Sequence, residues 1–365
     1  MMIIFVITIV VTVMVWWFVQ RPEFGALASG ARFEKIRQSP HFRNGRFENL
    51  SNTPDLTEGE TYFGVMKKFL FSKKLRNKPV DSIPALKTDL HSLNPGEDIL
   101  VWFGHSSYFM QLDGKRFLVD PVFSGAASPL AFTTPSFPGT DVYSADDLPG
   151  IDYLIITHDH WDHLDYETVT RLKEKVGVVI CGLGVGAHLE RWGFSTERII
   201  EKDWYETVSL DSSFTIHTTP ARHFSGRGFR RNQSLWMSFV LETPSRRIYI
   251  GGDSGYDSHF AAIRERFGKI DLAILENGQY DKSWKYIHLM PEEVIQAAKD
   301  LQADRLFAVH SSKFALGNHP WDEPLLRVSA LAQQHDINLI TPMIGQKVNF
   351  TDTLVRYQQW WTNVK

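Results

Sequence analysis

The chain has 365 residues, 43% of them hydrophobic, which is enough for a sizeable core in one large domain or two ordinary ones. Its 39 Lys and Arg against 42 Asp and Glu leave a formal charge of −3, so no global attraction to nucleic acid exists and anion binding has to come from local patches. The single cysteine, Cys181, excludes an internal disulfide and a thiolate metal cluster.

Met2–Val19 carries no charge and is rich in Ile, Val and Trp. A helix rises roughly 1.5 Å per residue, so this run just reaches across a bilayer core of about 30 Å. Trp16 and Trp17 near its end suit the interface, and residues 1–20 read as a transmembrane anchor. A cleaved signal peptide is the rival reading, with Ala26-Leu27-Ala28 as its processing site. Against it, no Lys or Arg precedes the apolar run and that tripeptide lies well past its end. Arg21, Arg32, Lys35 and Arg37 follow the segment, which by the positive-inside rule places the bulk of the chain in the cytoplasm.

Residues 21–95 scatter Pro, Gly and Asn among short apolar runs and are expected to form an irregular extension packed on a catalytic body over 96–365. Within the extension, residues 67–78 interleave Lys67, Lys68, Lys73, Lys74, Arg76 and Lys78 with Phe69, Leu70, Phe71 and Leu75. Such a stretch suits an anionic membrane surface, at about 1 kcal/mol per cation, or equally a solvated helix face.

From Ile99 the pattern changes to strands, expected over 99–105, 108–112 and 116–120, the last two joined by Asp113-Gly114, a two-residue hairpin signal. A loop rich in Ser, Pro and Phe follows over 121–139, then an apolar strand at 153–156. Beyond it the pattern predicts a helix over 166–176, a strand at 178–180, a helix over 185–192, and strands near 208–210, 214–218, 235–242 and 247–251. A helix near 258–267, a strand at 272–275, a helix over 291–301 and a strand at 306–309 complete the series. Two series of strands, each interleaved with helices, predict an α/β body of four layers, αββα, with two sheets face to face.

The densest chemistry follows the strand at 153–156, in Thr157-His158-Asp159-His160-Trp161-Asp162-His163-Leu164-Asp165. No strand or helix aims His158, His160, Asp162 and His163 one way, but a turn at a strand end splays them around metal ions. Neutral imidazole and carboxylate suit zinc, and also iron or manganese when oxygen ligands are added. The plain alternative is a polar turn that happens to be rich in histidine. Three further ligand types stand at strand ends: His223 in Pro220-Ala221-Arg222-His223, Asp253 in the glycine turn Gly251-Gly252-Asp253, and His310 after the strand at 306–309.

In this order and context, His158, His160, Asp162, His163, His223, Asp253 and His310 resemble the metallo-β-lactamase superfamily, over roughly residues 95–350. Trp102-Phe103-Gly104-His105-Ser106, the stretch 113–124, Pro220-Ala221-Arg222-His223-Phe224-Ser225, Ser234-Leu235-Trp236 and His288-Leu289-Met290-Pro291-Glu292-Glu293 are similar to the branch containing N-acylphosphatidylethanolamine-hydrolysing phospholipase D. The resemblance implies two zinc ions, with iron or manganese as alternatives. His158, His160 and His223 would hold one, Asp162, His163 and His310 the other, and Asp253 would bridge them. It implies a phosphodiesterase of phospholipase D type, whose nucleophile is the hydroxide shared by the metals, and the segment at 1–20 makes that enzyme membrane-anchored. Asp162 and Asp253 are then catalytic through the metals, and His288 is the candidate proton donor to the leaving oxygen; the plain alternative for His288 is a residue ahead of a helix. Asp120 is expected to orient a ligand histidine, and His105 likewise. His259 and His319 read as structural or surface residues.

Arg222, Arg227, Arg230 and Arg231 crowd one loop and suit phosphate, with none singled out. His310-Ser311-Ser312-Lys313 departs from the Trp-Gly-Thr usual in that branch, which leaves headgroup and acyl preference unread. The expected partners are a phospholipid and a membrane, not nucleic acid, and a homodimer is left open. Competing readings are a dizinc lactone or amide hydrolase of the same fold, and a non-catalytic metal-binding envelope or regulatory protein.

Overall fold

In the computed structural model, which describes residues 1–71, 75–352 and 355–365, the two series of strands form two seven-stranded sheets. The chain starts with α1 (Met2–Val19), α2 (Gly30–Gln38), a small hairpin of β1 (Phe42–Arg43) and β2 (Arg46–Phe47), and α3 (Tyr62–Phe71). Next come β3 (Ile99–Trp102), β4 (Tyr108–Leu112), β5 (Lys115–Val119), β6 (Ile151–Ile156), α4 (Tyr166–Leu172), β7 (Val176–Gly182), α5 (Gly186–Arg191) and β8 (Ile199–Lys202). The second half contains β9 (Thr207–Ser209), β10 (Thr215–Thr219), β11 (Ser238–Glu242), β12 (Arg247–Ile250), α6 (His259–Phe267) and β13 (Ile270–Glu276). It closes with α7 (Pro291–Asp300), β14 (Ala303–Val309), α8 (Glu323–Gln334), β15 (Leu339–Ile340) and β16 (Lys347–Asn349).

The first sheet runs β16-β3-β4-β5-β6-β7-β8 and the second β15-β14-β13-β12-β11-β10-β9. Each is antiparallel where hairpins connect its strands and parallel where a crossover does, as connection length requires. Asp113-Gly114 is the expected tight turn, with Leu112 paired to Lys115.

Alternation sorts the core into layers. Ile155 of β6 and Ile248 and Ile250 of β12 meet between the sheets. Leu154 and Ile156 of β6 point the other way, against Val169 and Leu172 of α4 and Leu189 of α5. Tyr249 of β12 packs outward with Phe260 of α6 and Val294 of α7. Fully burying each such apolar side chain contributes about 1.5–3 kcal/mol. The result is the four-layer αββα sandwich.

Several boundaries differ from the pattern. α4 stops at Leu172 rather than 176, because Val176 already pairs with Ile151 of β6. Strands β8, β15 and β16 and helix α8 were not read from the sequence. The extension is not irregular throughout: α2 and α3 are regular helices, and Ile36 and Phe47 are buried in the inter-sheet core. The extension is also clamped by charge, since Arg32 pairs with Glu190 and Glu201. Of the basic-aromatic stretch 67–78, residues 72–74 lie outside the described residues. No residue of α1 is buried in the chain by itself, and with a mean hydropathy of 2.7 the helix is long and apolar enough to cross a membrane. Its end is tied to the body through Phe18, which packs edge-on to Phe24, and Phe24 in turn against Trp161.

β3, β5 and β6 run parallel in one sheet, as do β10, β12, β13 and β14 in the other, with their carboxyl ends toward one edge of the sandwich, where ligand sites of layered α/β folds gather. Every candidate site residue except His288 follows one of those ends.

Candidate metal centre

β6 ends at Ile156, and the following turn splays its side chains as the spacing predicts. His158 Nε2 lies 2.9 Å from His160 Nδ1, and His223 Nε2 lies 3.2 Å from the same atom. These three rings converge as one donor group. Asp162, His163 and His310 converge as a second, together with His105. Asp253 stands between them. Its Oδ1 is 3.2 Å from both His163 Nε2 and His310 Nδ1, and its Oδ2 is 3.7 Å from His223 Nε2 and 3.9 Å from His158 Nε2. Gly252 makes this placement possible: it sits at φ 60°, and a Cβ there would come within 2.9 Å of Thr157 Cβ.

The donor set fits metal ions. His163 Nε2 and Asp253 Oδ1 are buried without a hydrogen-bond partner, a situation that costs about 1–3 kcal/mol per atom and that metal ligation relieves. Surrounding groups fix the donors. His223 Nδ1 donates to the Ile287 carbonyl at 2.8 Å, which leaves Nε2 free to ligate. Asn49 of the extension clasps the His223 backbone, donating to its carbonyl at 2.8 Å and accepting its N–H at 3.1 Å. Asp120 faces His163 Nδ1 at 2.8 Å and accepts from the Thr157 hydroxyl at 2.6 Å. His105 Nε2 lies 2.8 Å from Asp162 Oδ2, so this histidine orients a carboxylate rather than another imidazole.

His105, Asp120 and His310 all adopt positive φ, at 52°, 42° and 68°. This is a sparsely populated region for such side chains and tends to persist where the surroundings over-determine it. For His105 and His310 backbone bonds between them do so: His105 N–H donates to the Ser311 carbonyl at 3.0 Å, and His310 N–H donates to the His105 carbonyl at 2.9 Å. The two sheets are thus cross-linked at the ligands themselves.

Electrostatics divide the two donor groups. Burial holds His158 and His223 well below the usual histidine range and His160 down to about 4, so all three are neutral and ready to ligate. Burial likewise depresses His310. His163 goes the other way. Although burial opposes it, the carboxylates of Asp253, Asp162 and Asp120 hold it well above its ordinary value. Asp162 is correspondingly depressed by His163 and His105 against the same burial. Burial pushes Asp253 up to about 6, with Glu276 adding to the rise.

His288 is buried on the cavity wall, with its ring centroid 5.0 Å from that of His223 and 5.3 Å from that of His310. Its Nδ1 lies 2.7 Å from Glu276 Oε2. Glu276 itself had no sequence signal beyond a carboxylate closing an apolar strand. Burial raises its carboxyl well above the usual range.

The arginines separate once folded. Arg222 is spent on Thr53 and the carbonyls of Asn52 and Tyr256. Arg227 is buried against the Trp161 ring at 4.0 Å, donating to the carbonyls of Glu23, Asp159 and Leu164. Arg231 lines the cavity, over the Phe224 ring at 4.0 Å and paired with Asp55 at 3.2 Å. Arg230 is exposed. Asp159 and Asp165 support the turn: Asp159 accepts from Gly226 N–H and Ser234 Oγ, and Asp165 from Ser124 N–H and Thr168 Oγ1. His259 and His319 are structural, His259 beside Ser254 Oγ and His319 accepting the Gln279 N–H.

The donors open into a cavity of about 370 Å³ whose walls include Leu56, Val65, Phe224, Trp284, Ile287 and Leu316. Tyr62 and Val65 bring α3 over this mouth, while Phe63 and Met66 of the same helix are exposed. Cavities of about 490 Å³ and 500 Å³ lie elsewhere, one among residues 43–55 and one where the chain leaves α1.

The model of the beta-lactamase superfamily domain matches residues 115–311, more than half the chain. The chain belongs to that superfamily and is a metal-dependent hydrolase of the metallo-β-lactamase fold. It is 35% identical to an uncharacterized protein of Mycobacterium tuberculosis, over 94% of both chains. It is 27% identical to N-acyl-phosphatidylethanolamine-hydrolyzing phospholipase D 1 of Caenorhabditis elegans, covering 88% of this chain and 96% of that one. Among solved structures, a diiron beta-hydroxylase from Streptomyces venezuelae superposes with a TM-score of 0.54 at 22% identity, covering 70% of this chain and 55% of that one. The last likeness is one of fold.

Proposed function

We propose that this protein is a membrane-anchored, two-metal phosphodiesterase of phospholipase D type, acting on N-acylphosphatidylethanolamine-like lipids. The observation that carries the reading is the cavity itself. Two donor groups share Asp253 at the base of a mouth walled by apolar side chains, with Arg231 as its cation. Such a mouth suits an amphiphile with a phosphodiester near its apolar part. The relationship to the Caenorhabditis elegans phospholipase supports the same substrate class.

His158, His160 and His223 would hold one divalent ion and Asp162, His163 and His310 the other, with Asp253 between them. Zinc suits these donors, and the ions would supply acidified water and offset charge on the phosphoryl oxygens. The protein's own groups do the rest. Arg231 attracts the phosphate, and Phe224, Leu56 and Trp284 hold apolar substrate while excluding bulk water. His288 gives a proton to the departing alcohol oxygen, which would otherwise leave as an unstable alkoxide. α1 would keep the enzyme at the bilayer, with the exposed Phe63 and Met66 of α3 beside the cavity as further apolar contacts.

The test is product analysis by mass spectrometry after the zinc-loaded protein meets vesicles containing N-acylphosphatidylethanolamine. Release of phosphatidic acid and an N-acylethanolamine is expected. Intact phospholipid alongside rapid opening of lactones would replace this reading with that of a lactone hydrolase.

A further inference from the structure

We propose that the cavity where the chain leaves α1 binds the phosphate of an anionic membrane phospholipid, held by Arg191 and Arg230 at a site separate from the metal centre. The inference rests on the reading of α1 as an anchor and is independent of the reaction.

Position is the first argument. Val19, the last residue of α1, and Gln20 after it line this cavity of about 500 Å³. An apolar helix of 18 residues just crosses a hydrocarbon core, so the residues that follow it stand at headgroup level. The wall is fixed at that level, because Phe18 packs on Phe24 and Phe24 on Trp161. Buried Arg227 adds to the tie by donating to the Glu23 carbonyl on the anchor side and to the Asp159 and Leu164 carbonyls of the metal turn.

Charge is the second. The carboxylates around the cavity are already engaged: Asp159 accepts from Gly226 N–H at 2.7 Å and Ser234 Oγ at 2.6 Å and faces His188 Nε2 at 3.2 Å. Glu23 pairs with Arg21, and Glu190 and Glu201 pair with Arg32. The cations of the wall have no such partners. Arg191 is exposed and donates to the Gln20 carbonyl at 3.1 Å, and Arg230, also exposed, has no hydrogen bond or ion pair among the described residues. A phosphate supplies the missing negative charge, and the guanidinium fork matches its oxygens.

The third argument selects a lipid over a soluble phosphate. Phe229, beside Arg230, is 82% exposed, and Leu27 on the same wall is 45% exposed. A free anion leaves both in water, whereas the glycerol and acyl part of a phospholipid covers them. The site is also distinct from the substrate mouth. Arg230 and Arg231 are neighbours in sequence, yet they line different cavities that share no residue.

The test is native mass spectrometry of the zinc-loaded full-length protein in detergent, titrated with dioleoylphosphatidylglycerol, dioleoylphosphatidylcholine or inorganic phosphate. Each cation near a headgroup contributes about fivefold, so the anionic lipid should bind about tenfold or more tighter than the zwitterionic one. Inorganic phosphate should not displace it. Arg191→Gln combined with Arg230→Gln should weaken the anionic lipid about 25-fold, with bound zinc unchanged. Two controls should leave its affinity in place: Arg264→Gln with Lys269→Gln, which removes the same charge at α6, and Arg231→Gln in the other cavity. Equal affinity for the two lipids overturns the inference, as does an equal loss in the α6 control. Loss in Arg231→Gln alone overturns it by placing the lipid in the substrate mouth, and inorganic phosphate binding as tightly as the lipid overturns it in favour of a soluble anion. Should the double variant fail to fold, the exposed Arg230→Gln decides alone: a loss of about fivefold is expected, and no loss overturns the site. Release of the wild-type protein from membranes by alkaline carbonate would overturn the anchor reading instead, a result separate from lipid binding in detergent.

Discussion

The two halves of the metal centre hold the same number of protein donors yet are built from different chemistry. His158, His160 and His223 are neutral imidazoles, kept so by burial, and the extension steadies His223 through Asn49. Asp162, His163 and His310 sit in a carboxylate-rich corner that holds His163 well above its ordinary value against burial. The first half offers lone pairs directly; in the second the carboxylates favour the protonated imidazole over the ligating one. Zinc entering the second half should therefore release a proton that zinc entering the first does not, since imidazole ligates only in its neutral form. Calorimetric titration in buffers of different ionisation enthalpy would resolve the two steps, and equal proton release in both would erase the distinction.

Asp253 belongs to both halves, and its loss should have the largest effect. Asp253→Asn is expected to lower turnover by about a thousandfold or more, the scale of removing a central electrostatic stabiliser, and to reduce bound zinc in both halves. Retention of one tightly bound ion would show that the halves are independent. Asp162→Asn should lose turnover comparably while emptying the second half alone, with the fold intact by circular dichroism.

Supporting groups test the contrast more finely. Asp120→Asn removes the carboxylate behind His163 and should weaken zinc in the second half about 10- to 100-fold, measurable by competition with a chelating dye. Asn49→Ala acts on the first half through backbone bonds of about 1 kcal/mol, and should weaken zinc there only about fivefold. A larger effect from Asn49 than from Asp120 would reverse the ranking. Arg231→Gln should raise KM for an anionic substrate several-fold, while leaving both metal affinities in place.

Acid should separate the halves last and most gently. For His160 the folded value of about 4 lies below the ordinary 6.5. The unfolded chain therefore binds more protons through that window, and stability falls as pH falls through it. His158, His223 and His310 act in the same sense. His163, Asp253 and Glu276, all raised, act in the opposite sense, with stability lost as pH rises through their folded values. The depressed histidines outnumber them, so the melting temperature of chelator-treated protein should fall by several degrees between pH 7.5 and 5. A rise over that interval would mean that the carboxylate-rich corner dominates.

Much of the site was legible in the sequence because its residues are local or follow an obvious strand. His158 to His163 fall within one turn, and His223, Asp253 and His310 each close a run of β-formers. Asp120 was readable for the same reason. Glu276 also closes a strand, but nothing in Leu275-Glu276-Asn277 says that the strand is interior or that the chain returns as His288 to meet the carboxylate. The four arginines look alike in sequence, and packing alone sent Arg227 inside, Arg222 to the extension and Arg231 to the cavity. Helix α3 was read only in part, as the helix-face alternative for the basic-aromatic stretch 67–78, and α8 passed unread although Asp322-Glu323-Pro324 marks its start.

By itself, the sequence determined the layer order and the seven converging donors, since hydrophobic period and strand-end placement are local properties that survive whatever the rest of the chain does. The tertiary structure alone decided that Asp253 faces both donor groups with different oxygens, that Asn49 of the extension holds a ligand of the body, and that Glu276 stands behind His288. Those are contacts between residues 12 to 174 positions apart. They depend on how two sheets and an extension close on one another, which no local pattern encodes.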